Sequence, residues 1–219
     1  MNILIIRNSE TAPEGAFGEW LAQQGHVLRV TAPEALDAAA MEAAEVVVTL
    51  GSPHGVYDTH IPWIPRQQAL LAARLAARRP TISICFGAQI IAAAAGGAST
   101  RIADGRFYRG WFGVARVADP VLAGPWPRWH GDAITAPPGA EVLAEDDGTV
   151  QALALPRAIG VQFHPEATPE ILQSWAARFT AAGVVDEAGL AADSARLYPA
   201  RTQARADLFA WLLRRATEA

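Results

Sequence analysis

Thr81 to Gly97, TISICFGAQIIAAAAGG, is the stretch on which the reading of this chain turns. Thr81-Ile82-Ser83-Ile84-Cys85-Phe86 is short, apolar and β-branched, the pattern of a strand buried on both faces. Ala88 to Ala95 is alanine-rich and reads as a helix stopped by Gly96-Gly97. Gly87 alone is left between them as a turn. So abrupt a passage puts the corner residue, Cys85 or Phe86, in a strained backbone conformation, and the glycine lets helix and strand approach closely. This is a nucleophile elbow with cysteine in place of serine. Such a corner presents its side chain at the end of the sheet and aims the first free N–H groups of the helix at the same point. Donors so placed stabilise a thiolate and hold a developing oxyanion. A lone cysteine in an apolar strand is more often a small buried hydrophobe, so the rest of the chain decides.

The 219 residues suit one α/β domain, or one with a short appendage. A composition of 51% hydrophobic and 18% charged residues is that of a globular core, not of a disordered chain. The net charge is −4 and no run of like charge could track a phosphate backbone, so no nucleic-acid partner is expected. A single cysteine permits no internal disulfide and fits a reducing cytoplasm, the expected location. The N-terminal MNILIIRNSE has too short an apolar run for a signal peptide, and no stretch reaches bilayer length, so no membrane association is expected. Five histidines and one cysteine show no zinc-type spacing, and neither a phosphate-binding loop nor a dinucleotide fingerprint is present. No metal or cofactor is expected.

Outward from the elbow, the N-terminal half alternates. Strands are predicted at Asn2–Ile6, His26–Thr31 and Glu45–Leu50, with helices at Gly15–Gln24, Ala35–Ala44 and Arg66–Arg79. This spacing implies a parallel sheet with helices on both faces. In the third of these helices Leu70, Leu71 and Leu75 face inward, while Arg74, Arg78 and Arg79 read as a solvated face and a C-terminal charge. Gly51-Ser52-Pro53-His54 follows a parallel strand, at the carboxyl edge where ligands bind in open α/β sheets. Its amides suit an anion or oxyanion, and an ordinary strand-to-helix turn has the same composition.

Between Ala98 and Gly160 the pattern changes to short antiparallel strands: Trp111–Val117, Arg128–Thr135, Glu141–Ala144 and Val150–Leu155. His130, within Trp129-His130-Gly131-Asp132, has a structural reading beside the functional one. The strand from Ala158 ends in His164-Pro165-Glu166, ahead of a helix from Thr168 or Pro169 to Phe179. Proline holds His164 extended, so His164 and Glu166 project to one side and the carboxylate can orient the imidazole. Capping of the next helix is the other reading of that pair. With an elbow cysteine about eighty residues earlier, a Cys-His-Glu triad is the better reading. After Gly183 a loop around Tyr198-Pro199 and a final amphipathic helix, Arg201 to Arg215, are predicted, with Leu208, Trp211, Leu212 and Leu197 on its apolar side.

These motifs resemble the class I, triad-type glutamine amidotransferases, especially the glutaminase domain of GMP synthase and its stand-alone relatives. The resemblance runs through Leu50-Gly51-Ser52-Pro53 with Val56-Tyr57-Asp58, Cys85-Phe86-Gly87-Ala88-Gln89 with Gly96-Gly97, His130-Gly131-Asp132, and Gln162-Phe163-His164-Pro165-Glu166, in the family's order. It implies a three-layer, flavodoxin-like α/β fold, an open mainly parallel sheet with helices on both faces plus an antiparallel extension. It further implies residues 1–183 as the amidotransferase domain, with 184–219 as a C-terminal helical extension packed on it.

Carried over, Cys85 attacks the side-chain amide of L-glutamine, His164 moves the proton and Glu166 orients His164. The amides of Phe86 and of Gly51 or Ser52 form the oxyanion hole. Gln89, His130, Gly131 and Asp132 are the substrate-binding candidates. Ser83 and Ser52 stand where the family usually has glycine, and Arg109 where an acidic residue is frequent. The chain ends after this domain, so the resemblance implies a subunit supplying ammonia to a separate synthase. Hydrolysis of γ-glutamyl amides or peptides with the same triad is the first alternative, and a non-catalytic regulatory module of the same fold is the second.

Overall fold

The structure, a computed structural model, describes residues 1–178 and 185–218. Its centre is an eight-stranded sheet in the order β2-β1-β3-β4-β12-β11-β10-β7. Five strands are parallel: β1 (Asn2–Ile6), β2 (Val27–Thr31), β3 (Val46–Thr49), β4 (Thr81–Ile84) and β12 (Ala158–Val161). Antiparallel β11 (Thr149–Leu155), β10 (Glu141–Asp146) and β7 (Arg116–Val117) extend one side. This is the mainly parallel sheet that the alternating N-terminal half predicts, in the flavodoxin-like layout with an antiparallel extension that the resemblance implies.

The period of two along β1 explains the layers. Ile3 and Ile5 join one buried cluster with α1 (Gly15–Gln23) and α7 (Thr202–Glu218). Leu4 and Ile6 join the other with α2 (Ala38–Ala43), α3 (Trp63–Ala76) and α4 (Phe86–Ala94). A third cluster holds Leu172 and Trp175 of α5 (Pro169–Ala177) against Leu190 of α6 (Glu187–Ala200). Phe179 and the 183/184 boundary lie outside the described residues. Among the described residues no helix is long and apolar enough to cross a membrane.

Several boundaries differ from the sequence expectation, each for a local reason. Residues Trp111–Val117 are not one strand. Tyr108–Phe112 (β6) pairs with Trp126–His130 (β8), whereas β7 joins the large sheet, and Arg128 bonds to the Gly113 carbonyl at the break. Residues Arg128–Thr135 likewise divide at Gly131, where a Cβ would run into the Phe107 ring. Beyond it, Asp132–Thr135 (β9) pairs with Ala98–Arg101 (β5). The Tyr198-Pro199 segment closes helix α6 and is no loop. Asp186 caps the start of α6 by accepting from the Gly189 N–H, and buried Leu190 and Ser194 lie one turn apart on one face.

Arg74 corrects the solvated-face reading of α3. It is 3% exposed, and its guanidinium donates to the carbonyls of Met41, Ala44, Glu45 and Pro80. It therefore ties the end of α2 to the turn before β4, sharing the Pro80 carbonyl with the Val47 amide and the Ala44 carbonyl with Arg79. Arg74→Met should cost about 2–4 kcal/mol in urea unfolding without loss of the folded baseline. A change under about 0.5 kcal/mol would show those carbonyls reach water.

Candidate active site

β4 ends at Ile84 and α4 begins at Phe86, so Cys85 alone makes the corner, at φ +54° and ψ −111°. A non-glycine residue there is strained, and the surrounding structure must impose it. Gly87 lies inside the helix, not in a turn. A Cβ on it would overlap the Thr49 carbonyl, which is why α4 can start so close to the sheet. The first amide of α4 with a helical acceptor is that of Gln89, bonded to the Cys85 carbonyl at 3.0 Å. The amides of Phe86, Gly87 and Ala88 precede it in the first turn of α4, directly after Cys85.

β12 delivers the second component. After Val161 the chain leaves the sheet, and the His164 amide bonds to the Pro127 carbonyl of β8 at 2.7 Å. The Glu166 carbonyl accepts from the Ala16 amide of α1 at 2.9 Å. These anchors place His164 Nδ1 at 2.6 Å from Glu166 Oε1, with the residues 2% and 1% exposed. His164 Cε1 and Cys85 Cβ both lie within 4 Å of the point a Cβ on Gly51 would occupy, so glycine there leaves the ring its room. Burial disfavours a charged imidazole, but the Glu166 carboxylate and the adjacent Cys85 sulfur outweigh it and raise His164 to about 10.

One cavity of about 190 Å³ gathers these groups. Cys85, His164, Gly51, Ser52, Gln89, His130, Gly131 and Asp132 all line it; Phe86 and Glu166 stand behind, fully buried. Its size is below the roughly 300–1,000 Å³ of sites for drug-sized ligands, which favours a small molecule. Gln89 donates to Gln162 Oε1 at 3.4 Å, and Gln162 Nε2 donates to Cys85 Sγ at 3.7 Å. Asp132 accepts from the Tyr57 hydroxyl at 3.2 Å, and burial raises its carboxyl against that bond. Among the described residues no cluster of metal-ligating side chains is present.

His130 is buried and held neutral. Its Nδ1–H donates to the Asp132 carbonyl at 3.0 Å, and burial, offset in part by that bond, lowers it to about 3. The two histidines thus give opposite pH signs. Below about 6.5 the unfolded chain takes up a proton at His130 that the folded chain refuses, so stability falls with pH, by up to about 1.4 kcal/mol per unit. His164 stabilises fully below about 6.5, and that contribution is lost as pH rises toward its folded value of about 10. Urea midpoints should show wild type losing ground to His130→Asn as pH drops from about 6.5 to 4. A constant difference would mean His130 is hydrated.

Sequence reading missed the aromatic wall of the cavity. Trp129 packs on Trp175 with ring centroids 5.7 Å apart, and Trp175 meets His164 edge-on at 4.7 Å. Trp175 lies one turn and a half into α5, beyond any motif, though its indole donates to the Thr11 carbonyl of the β1–α1 loop. Gln162 stands in the Gln162–Glu166 motif of the sequence reading, with no role assigned to its side chain.

Comparison with known proteins follows the same stretches. Residues 21–179 match the family model described as glutamine amidotransferase class-I. GMP synthase (glutamine-hydrolysing) of Thermomicrobium roseum is 38% identical over 131 residues, which cover 55% of this chain and 23% of that protein. That of Thermus thermophilus is 37% identical over 140 residues, 59% of this chain and 26% of that protein. The chain thus spans about a quarter of the length of the curated relatives it matches. Among solved structures, a glutamine amidotransferase of Thermotoga maritima superposes with a TM-score of 0.83 at 21% identity, covering 100% of this chain and 99% of its own. One of Methylobacillus flagellatus gives 0.77 at 22% identity, covering 100% and 92%.

Proposed function

This chain belongs to the class I glutamine amidotransferases, and we propose that it hydrolyses the side-chain amide of L-glutamine to glutamate and ammonia through a thioester on Cys85. The observation that carries this is the buried 2.6 Å contact of His164 with Glu166, behind a cavity that His164 lines together with a sulfur held at a strained strand-to-helix corner. With His164 favoured as the imidazolium, the thiol proton rests on the ring and the sulfur attacks the amide carbon. The amide of Phe86 and one from Gly51 or Ser52 receive the oxyanion. Collapse of the tetrahedral adduct breaks the C–N bond as His164 protonates the departing ammonia. Water, deprotonated by His164, then cleaves the thioester and releases glutamate.

At the other end of the substrate, Asp132 and Gln89 suit the ammonium and carboxylate of the amino acid, with His130 and Gly131 shaping the wall. Ammonia set free in this way is useful where a synthase captures it, and the matched relatives are glutamine-hydrolysing GMP synthases. We propose a synthase partner on that ground, in a compartment that keeps Cys85 reduced. The test is release of glutamate and ammonia in equal amounts from glutamine by the purified chain, alone and with candidate synthases. Brisk hydrolysis indifferent to every synthase counts against the partner; no hydrolysis under any condition counts against the enzyme.

A further inference from the structure

We infer that Gln162 is a further catalytic residue of this site: its side-chain N–H donates to the Cys85 sulfur and stabilises the thiolate, both as it attacks and as it leaves. This deepens the glutamine-hydrolase reading and rests on it. Burial is the first ground. Gln162 is 0% exposed, and a carboxamide so placed costs free energy unless both of its ends are paired. Leucine fills a similar volume without that cost, so packing alone does not call for an amide.

Both ends are paired, each with a side chain that lines the cavity. Gln162 Oε1 accepts from Gln89 Nε2 at 3.4 Å, and Gln162 Nε2 donates to Cys85 Sγ at 3.7 Å. The first bond sets the second, because an oxygen turned to Gln89 leaves the NH2 turned to the sulfur. The backbone fixes the position of the group. The Gln162 amide bonds to the Gln151 carbonyl at 2.8 Å, and the His164 amide, two residues on, bonds to the Pro127 carbonyl. The sulfur also has the Trp129 carbonyl at 4.0 Å, which accepts from a thiol S–H. Loss of the thiol proton turns that carbonyl into a repulsive neighbour and the Gln162 contact into a charge-assisted one.

Gln162 gives up no proton, so its donor is present in both halves of the reaction. The thiol proton passes to His164, the C–S bond forms, and ammonia leaves with that proton. Water then gives a proton to His164 and attacks, the C–S bond breaks, and the electron pair returns to a sulfur facing the same donor.

The test is the rate of Cys85 alkylation by iodoacetamide against pH, read by intact-protein mass spectrometry on wild type, Gln162→Leu and Gln162→Met. Two apolar replacements of similar volume are compared so that one variant with a folded baseline in urea unfolding suffices. The titratable groups that line the cavity with the sulfur, His54, His130, Asp132, His164 and Arg178, are common to all three chains, as is Glu166 behind His164. The expected profile moves up by about one pH unit, so alkylation is about tenfold slower near neutral pH and catches up above about pH 9. Glutamine turnover should fall about 10- to 100-fold in kcat. An unmoved profile, a profile moved down, a rate lowered equally at every pH, or kcat kept at the wild-type level overturns the assignment. Loss of the folded baseline in both variants overturns it too, by making Gln162 a structural residue. Iodoacetamide reads the sulfur whether or not glutamine is the substrate. A profile moved up, with no glutamine hydrolysis by wild type, therefore keeps the Gln162 bond and removes the hydrolase.

Discussion

Cys85→Ala should bring glutamine hydrolysis to background, a loss on the order of 10⁴- to 10⁶-fold in kcat, while urea unfolding shifts by no more than about 1 kcal/mol. Losing the nucleophile removes the covalent route altogether, because no other thiol exists in the chain and the cavity offers no serine or threonine at the corner. The fold is spared because the Cys85 backbone, not its sulfur, holds the elbow: its amide bonds to the Val161 carbonyl at 2.8 Å and its carbonyl accepts from Gln89. Ammonia release and a denaturant titration on the same preparation check both halves. Turnover retained at the wild-type rate would remove Cys85 from the reaction.

The second large effect separates the two partners of the sulfur. His164→Ala deletes the proton carrier and should match Cys85→Ala within about tenfold, since groups acting as one unit are not additive. Glu166→Gln keeps shape and volume but removes the charge that opposes burial at His164, so a milder loss, about 10²- to 10⁴-fold, is expected. The signature is in pH. Without the carboxylate, burial lowers the imidazole, and its titration should move down from about 10. Imidazole NMR against pH reads this directly. A Glu166→Gln chain whose His164 titrates as in wild type would reduce Glu166 to a packing residue.

The parallel half of the fold was legible because its signals are local: β-branched runs, alternating faces and glycine stops. The elbow was legible for a further reason, since Ser83-Ile84-Cys85-Phe86-Gly87 leaves the chain little choice of path. What escaped was non-local. Arg74 looks like a surface residue on any helical wheel, and only the ends of α2 and β4 arriving beside it make it an internal tie. Helix α6 has a weak periodic pattern and a proline in its last turn, so its existence depends on packing against α5 and on the Trp111 indole bonding to Ser194 at 3.0 Å. The aromatic wall depends on three separated segments meeting, which no spacing rule encodes. Gln162 was quoted within its motif without a role, because only the fold brings its side chain to the sulfur of a segment about eighty residues earlier.

The central claim is that Cys85 is a glutamine-directed nucleophile primed by His164. Its most direct measurement is intact-protein and peptide mass spectrometry after incubation with a chloroketone analogue of glutamine. One adduct on Cys85 is expected, slowed by excess glutamine and nearly absent with His164→Ala. An unmodified Cys85, or a rate indifferent to both glutamine and His164→Ala, would contradict the account.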